Sequence, residues 1–211
     1  AVFAMIVAAC SSDDSGDTTT TAGGDTTTTA GTGGDEIIVG MSWNNYNEER
    51  WAKADEPAMK AAIEANGGTY ISTDAGSSAE QQIADVENLI SQGADVIIIL
   101  AQDTAAIVPA VQSATSQGIP VIAYDRLIED AGAFYLTFDN VEVGRIEARV
   151  IFDLVPTGTY AIIKGNGSDA NSDFLREGME DIIGDAVAVG DIAACCEIYT
   201  DNWAPELAQT Q

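Results

Sequence analysis

Histidine is absent from this sequence. With it go the commonest general base near neutral pH, the usual partner of a nucleophilic Ser or Cys, and the commonest metal ligand. Neither a metal nor a cofactor is expected, and the chain reads as a binding protein rather than an enzyme. Basic residues are scarce as well: 8 Lys and Arg stand against 34 Asp and Glu, a formal net charge of -26. A surface of that sign repels phosphate backbones and anionic membrane surfaces, which excludes nucleic acid as a partner. Such acidity suits a saline habitat, or simply a soluble secreted protein. Past the first residues, no segment approaches the roughly 20 apolar residues of a membrane span.

Cysteine is rare too, with 3 in 211 residues, and the first has a distinctive setting. Cys10 ends the run Val7-Ala8-Ala9-Cys10, after an apolar stretch and immediately before polar residues. That is a lipobox: cleavage before the Cys makes it the N-terminus and its thiol carries the lipid. Residues 1–10 are therefore expected to be a signal remnant with Cys10 as the lipidation site. The chain opens at Ala1, inside the apolar region, so the initiating Met and basic flank of a signal peptide are expected upstream. Residues 11–34 are almost only Thr, Gly, Asp, Ser and Ala. Such a composition cannot offset its ordering entropy by burial, and it is expected to be a disordered tether that holds a globular head off the membrane.

From Asp35 onward, short β-branched runs alternate with amphipathic stretches, and 46% hydrophobic residues suffice for one substantial core or two modest ones. Strands are expected at 37–42, 69–73, 94–101, 119–124 and 134–138. Helices are expected at 48–66, 79–92 and 104–117. The first helix would turn Trp51, Ala54, Ala58, Met59 and Ile63 inward. A second series follows, with helix 141–154, strand 159–164, helix 171–183, strand 192–200 and a helix beginning near Trp203. Strands this apolar belong to parallel sheets covered by helices on both faces. The fold class is α/β with two lobes, 35–138 and 139–211, the second incomplete because its last helix has no strand after it.

In open α/β sheets ligands bind past the carboxyl ends of the strands. In the first lobe those positions hold Trp43, Asn44, Asn45 and Tyr46, then Glu49-Arg50-Trp51, Asp125-Arg126 and Asp139-Asn140. In the second they hold Asp169 to Asn171 and Asp201-Asn202-Trp203. Charged or amide groups beside aromatics suit a sugar. A hydroxyl donates and accepts, so a carboxylate and a guanidinium can bracket it, each charged hydrogen bond contributing about 1.5–3 kcal/mol. The apolar C–H face of the ring needs an aromatic platform, which Trp43, Trp51 or Trp203 could supply. Singly, each has an ordinary structural explanation: Asp125 as a cap, Arg50 in an ion pair, Trp51 in the core. Their shared position past the strands is what joins them.

From Asp35 to Gln211 the chain resembles the D-xylose-binding proteins of bacterial ABC importers, within the type I periplasmic binding proteins. The resemblance rests on Ile38-Val39-Gly40-Met41 leading to Glu49-Arg50-Trp51. It continues in Val86-Glu87-Asn88-Leu89-Ile90 with Gly93-Ala94-Asp95-Val96, and in Ala123-Tyr124-Asp125-Arg126 leading to Phe138-Asp139-Asn140. The last stretches are Asp169 to Asn171, Phe174-Leu175-Arg176-Glu177-Gly178 and Asp201-Asn202-Trp203-Ala204-Pro205-Glu206. It implies that Arg50, Asp125, Arg126, Asn171 and Trp203 line a monosaccharide pocket. It also implies a lipid-anchored extracytoplasmic receptor, expected as a monomer, that delivers D-xylose or a related pentose to a permease and its ATPase. The lobes would swing about a hinge near Asp139-Asn140. Asn44 and Asn45 stand where the family has an acidic pair, so they are candidate ligand residues with an altered hydroxyl preference. The resemblance places an Asn, an Asp and a Lys of the pocket beyond Gln211, so this chain alone is expected to bind poorly.

Other readings have less support. Gly165-Asn166-Gly167 lacks the third Gly of a phosphate loop, and Asp169 would repel phosphate. Acidic pairs such as Asp13-Asp14 or Glu48-Glu49 suggest a glycosidase, which explains neither lipobox nor tether. A transcription regulator would need a basic DNA-binding head. A sensing receptor for chemotaxis or a two-component system is the nearer alternative. Cys195-Cys196 read as small strand residues, or as a redox switch; a bridge between neighbours is strained.

Overall fold

The computed structural model describes residues 36–211. The expected lipidation site Cys10 and the tether at 11–34 lie outside the described residues.

The first run of elements is β1 (Ile38–Trp43), α1 (Glu56–Ala65), β2 (Thr69–Asp74), α2 (Ala79–Ser91), β3 (Val96–Ile99), α3 (Val108–Ser116), β4 (Val121–Tyr124) and β5 (Ala133–Leu136). The five strands form one parallel sheet in the order β2-β1-β3-β4-β5. Period-two alternation splits its apolar side chains between two cores. Ile97, Ile99 and Val121 face α2 and α3, with Val86, Leu89, Val111 and Ala114 packed on them. Met41 and Trp43 point the other way, into a cluster with Trp51 and Leu100. Gly40 lets α2 sit close on β1: a Cβ there would already lie 3.3 Å from Leu89. Ser78 caps α2 by accepting from the Gln81 N–H, a bond of about 1 kcal/mol.

The second run is α4 (Asn140–Leu154), β6 (Gly158–Lys164), α5 (Asn171–Val189), β7 (Ile192–Tyr199) and a short α6 (Pro205–Ala208). β6 and β7 pair in parallel as a separate sheet, and Ala148, Ile162, Ile183 and Ile192 form its small core. α4 and α5 touch backbone to backbone. A Cβ on Gly144 would lie 2.0 Å from the Leu175 carbonyl oxygen, and one on Gly178 would lie 1.9 Å from that of Val141. Only glycine at both positions permits this approach. α5 runs past its expected end at Ile183, because Ala186 and Val187 still pack on the core, and it stops at Gly190 with φ 87°.

The first helix departs from its expected face. Trp51–Asp55 winds as a wide π turn before α1 begins, and the extra residue shifts the helical phase. Ala54 and Ala58 turn outward, while Asp55 takes an inward position between Trp51 and Met59. No helix among the described residues is long and apolar enough to cross a membrane.

Candidate functional site

β1 and β4 of the first sheet and β6 and β7 of the second all deliver loops to one cavity of about 420 Å³. Arg50, Asp125, Arg126, Asn171 and Trp203, the five residues carried over by resemblance, line it together with Glu48, Trp51, Phe138, Asn140, Glu147 and Asp169.

Arg126 is its buried centre, 3% exposed. Its guanidinium donates from Nη1 to the Ala101 carbonyl at 3.2 Å and from Nη2 to Glu48 Oε1 at 3.2 Å, and its Nε forms an ion pair with Asp169 Oδ2 at 3.0 Å. One cation therefore ties a first-sheet loop to a second-sheet loop. Asp169 also accepts the Asn171 N–H at 3.0 Å and Trp203 Nε1 at 3.0 Å. Burial pushes its carboxyl above the usual range, against the opposing pull of Arg126 and those donors. Glu48 in turn accepts Trp51 Nε1 at 2.8 Å.

Arg50 lies at the mouth, 42% exposed in its side chain, with Nε on Asp55 at 2.8 Å and Nη1 on Asp125 at 3.0 Å. Burial acts to lower its pKa, but the two carboxylates outweigh it and the net direction is up. Its planar head lies 4.4 Å from the Trp51 ring centroid and 5.6 Å from that of Phe138. The π turn makes this arrangement possible by placing Asp55 inward, where it also accepts the Tyr124 hydroxyl at 2.9 Å. Asn171 reaches back to the first sheet: Nδ2 donates to the Asp125 carbonyl at 3.1 Å, and Oδ1 accepts Asn140 at 2.9 Å and Tyr135 at 3.2 Å.

Trp203 is seated by a glycine. A Cβ on Gly165 would lie 2.2 Å from its indole ring, so the ring rests directly on the β6 end. Asp125, Asn202 and Trp203 all adopt positive φ (64°, 53° and 54°), a conformation uncommon outside glycine. Three of the four non-glycine residues in that region among the described residues thus belong to this site or its flank, the pattern of strain held where a site is preorganised.

Two sets of candidates stand apart from this lining. Asn44 (0% exposed) and Asn45 (2%) are not among the cavity's lining residues. They sit in the loop after β1, where the Asn44 carbonyl receives the Ser77 N–H and Asn45 Oδ1 receives the Asn47 N–H. Trp43 is core rather than platform: it is fully buried, donates to the Tyr70 hydroxyl at 3.1 Å and packs against Tyr46, Trp51 and Tyr124. Residue choice from sequence missed Glu48 and Glu147, and named Asp169 among the positions past the strands without carrying it into the pocket. Asp169 shares its loop with Asn171, which was the available signal; Glu147, whose carboxyl burial pushes up, lies on the third turn of α4 with none.

Chemically, the cavity offers guanidinium and carboxylate groups paired with each other, amides, and the rings of Trp51, Phe138 and Trp203. No group of three or more metal-ligating side chains exists among the described residues.

Comparison with known proteins agrees with this geometry. Residues 39–211 match the family described as periplasmic binding protein domain. The D-xylose-binding periplasmic protein of Escherichia coli (strain K12) is 34% identical over 174 residues, covering 82% of this chain and 52% of that protein. The chain thus spans about half the length of the curated relatives it matches. Among solved structures, an ABC transporter solute binding protein from Clostridium phytofermentans with bound β-D-glucose superposes with TM-score 0.77 at 26% identity, covering 82% of this chain and 57% of that one. The fructose binding periplasmic domain of a hybrid two component system superposes with TM-score 0.69 at 25% identity, covering 79% of this chain and 54% of that one. With its parallel sheets, its cavity at their carboxyl ends and a match over residues 39–211, the chain belongs to the periplasmic binding protein family.

Proposed function

We propose that the protein is the substrate-binding lipoprotein of an ABC sugar importer, capturing a monosaccharide between lobes 35–138 and 139–211 and presenting it to a membrane permease. The observation that carries the reading is the cavity itself. Arginine and carboxylate side chains from both sheets converge there beside Trp51, Phe138 and Trp203, the set that brackets hydroxyls and stacks a ring. D-xylose or a related pentose is the proposed ligand, supported by the xylose-binding relative. Arg50, Asp125, Arg126, Asn171 and Trp203 are the proposed contacts, with no covalent step and no cofactor. The site is extracytoplasmic, the protein is a monomer, and Cys10 supplies the lipid anchor.

Calorimetric titration of the full-length protein with pentoses and hexoses tests this. Saturable binding with the sugar recovered unchanged is the expected result, and conversion of the sugar to a product refutes it. A sensing role is the second reading, favoured by the similarity to a periplasmic domain of a two component system. Loss of sugar uptake on deletion, with sugar-dependent gene expression intact, separates transport from sensing.

A further inference from the structure

Two thiols outside the cavity have no part in that reading. Cys195 and Cys196 lie side by side on β7, both exposed and both free. Neighbours on a regular strand point to opposite faces. Here the register with β6 slips: Tyr160 pairs with Ala194 and Ala161 with Cys196, leaving Cys195 as the extra residue of a β-bulge. The two Sγ atoms consequently approach to 3.1 Å, within hydrogen-bonding contact, a distance side chains on opposite faces cannot reach. That contact also pushes the Cys196 thiol up.

The geometry points to a redox-responsive modification site: a vicinal dithiol, Cys195-Cys196, that a small-molecule or protein disulfide oxidises to an intramolecular disulfide. One Cys thiolate attacks a sulfur of the reagent disulfide, forming a mixed disulfide and releasing one reagent thiolate. The second Cys thiolate then attacks the protein sulfur of that mixed bond and expels the other. The protein gives up two protons and two electrons, and the reagent disulfide becomes two thiols. A closed metal centre is the poorer account, because no third metal-ligating side chain joins the pair among the described residues. An extracytoplasmic setting exposes such a pair to disulfide oxidants. The adjacent Cα atoms, about 3.8 Å apart, are closer than the 4.4–6.8 Å usual for disulfides, so thiols should reopen the ring readily. The inference does not depend on the identity of the sugar.

The test uses the full-length protein carrying Cys10→Ser, with the response of the same protein carrying Cys195→Ser and Cys196→Ser together subtracted, so that the difference reports this pair. The reduced protein is treated with 2,2′-dithiodipyridine and followed by pyridinethione release and intact mass. The expected result is two equivalents of pyridinethione, no retained adduct, a mass lower by two hydrogens, and full reversal by dithiothreitol. Adding Cys195→Ser or Cys196→Ser should halve the release and leave one adduct in place. Retention of two adducts on the parent, or oxidation to a disulfide-linked dimer, overturns the proposal.

Discussion

The two sheets meet at one cavity, and residues 36–211 contribute to them unequally. The first has five strands, helices on both faces and two apolar clusters that bury Trp43, Leu89, Ile97 and Leu100 completely. To the second, residues 139–211 contribute two strands and a small core, and within them α4 shows Ile146, Val150, Ile151 and Leu154 between 51% and 74% exposed. Site residues of the first sheet are therefore held by packing around them. Those of the second are held by polar bonds to the first sheet and by two close contacts that only glycine permits. Within residues 139–211 these ties to the first sheet are individually identifiable, and each can be removed singly.

The largest effect should come from cutting the tie between the sheets. Arg126→Ala leaves Asp169 buried, and Glu48 half-buried, without their cation and should cost about 3–5 kcal/mol of stability, read by denaturant unfolding. A cost near zero would mean the second sheet keeps its place without the first. Next, Gly178→Ala places a Cβ against the Val141 carbonyl and should cost about 1–3 kcal/mol, with faster hydrogen exchange in α4 and α5 and little change in the first sheet. Gly184→Ala on the same helix meets only the flexible end of Glu180 and should be neutral or stabilising by up to about 1 kcal/mol. That pair of variants separates helix propensity from helix contact.

Gly165→Ala should push the Trp203 ring off its seat and weaken sugar binding roughly tenfold, about 1.4 kcal/mol, with a smaller change in unfolding midpoint. Equal loss in both would make Trp203 a packing residue. Helix caps give a matched comparison: Ser78→Ala on α2 and Asp139→Ala on α4 each remove a bond to a backbone N–H and should cost about 1 kcal/mol. An Asp139 effect confined to local exchange would show that the second lobe opens apart from the first.

The smallest effect concerns acid. In the second lobe the Lys164 and Arg176 side chains hold Asp173 and Glu197 below their usual range. Lowered folded values give stability that is present above the unfolded pKa of about 4 and lost as pH falls through the folded values. Asp173 and Glu197 are more than a third exposed, so solvent screens much of it. Asp173→Asn should flatten that acid slope slightly in a pH series of unfolding midpoints.

Much of the fold was legible because apolar period and glycine stops report backbone class directly. Strands β1 to β7 lie on the expected apolar runs, and Gly67, Gly93, Gly118 and Gly190 follow helices with positive φ. The site was legible where it follows topology: Arg50, Asp125, Arg126, Asn171 and Trp203 all lie past strand ends. What escaped depends on side-chain phase. A π turn carries no signature in a 3.6 period, so Asp55 could not be seen replacing Ala54 as the inward neighbour of Arg50. Asn44 and Asn45 occupy a site-bearing loop, yet their side chains turn into the protein, a rotation that residue type does not encode. The bulge at Cys195 depends on the partner strand and is invisible in β7 alone.

The glycine contact between α4 and α5 has a consequence for ligand choice. With backbones touching at Gly144 and Gly178, the two helices cannot slide or spread independently, and their first turns carry Asn140 and Val143 on one, Asn171 and Leu175 on the other, all facing the cavity. The pair works as a fixed-gauge jaw whose width is set by main chain rather than by side-chain length. Exchanging side chains along the jaw would change the groups that line the cavity, while a change in its width would demand different main-chain contacts at Gly144 and Gly178.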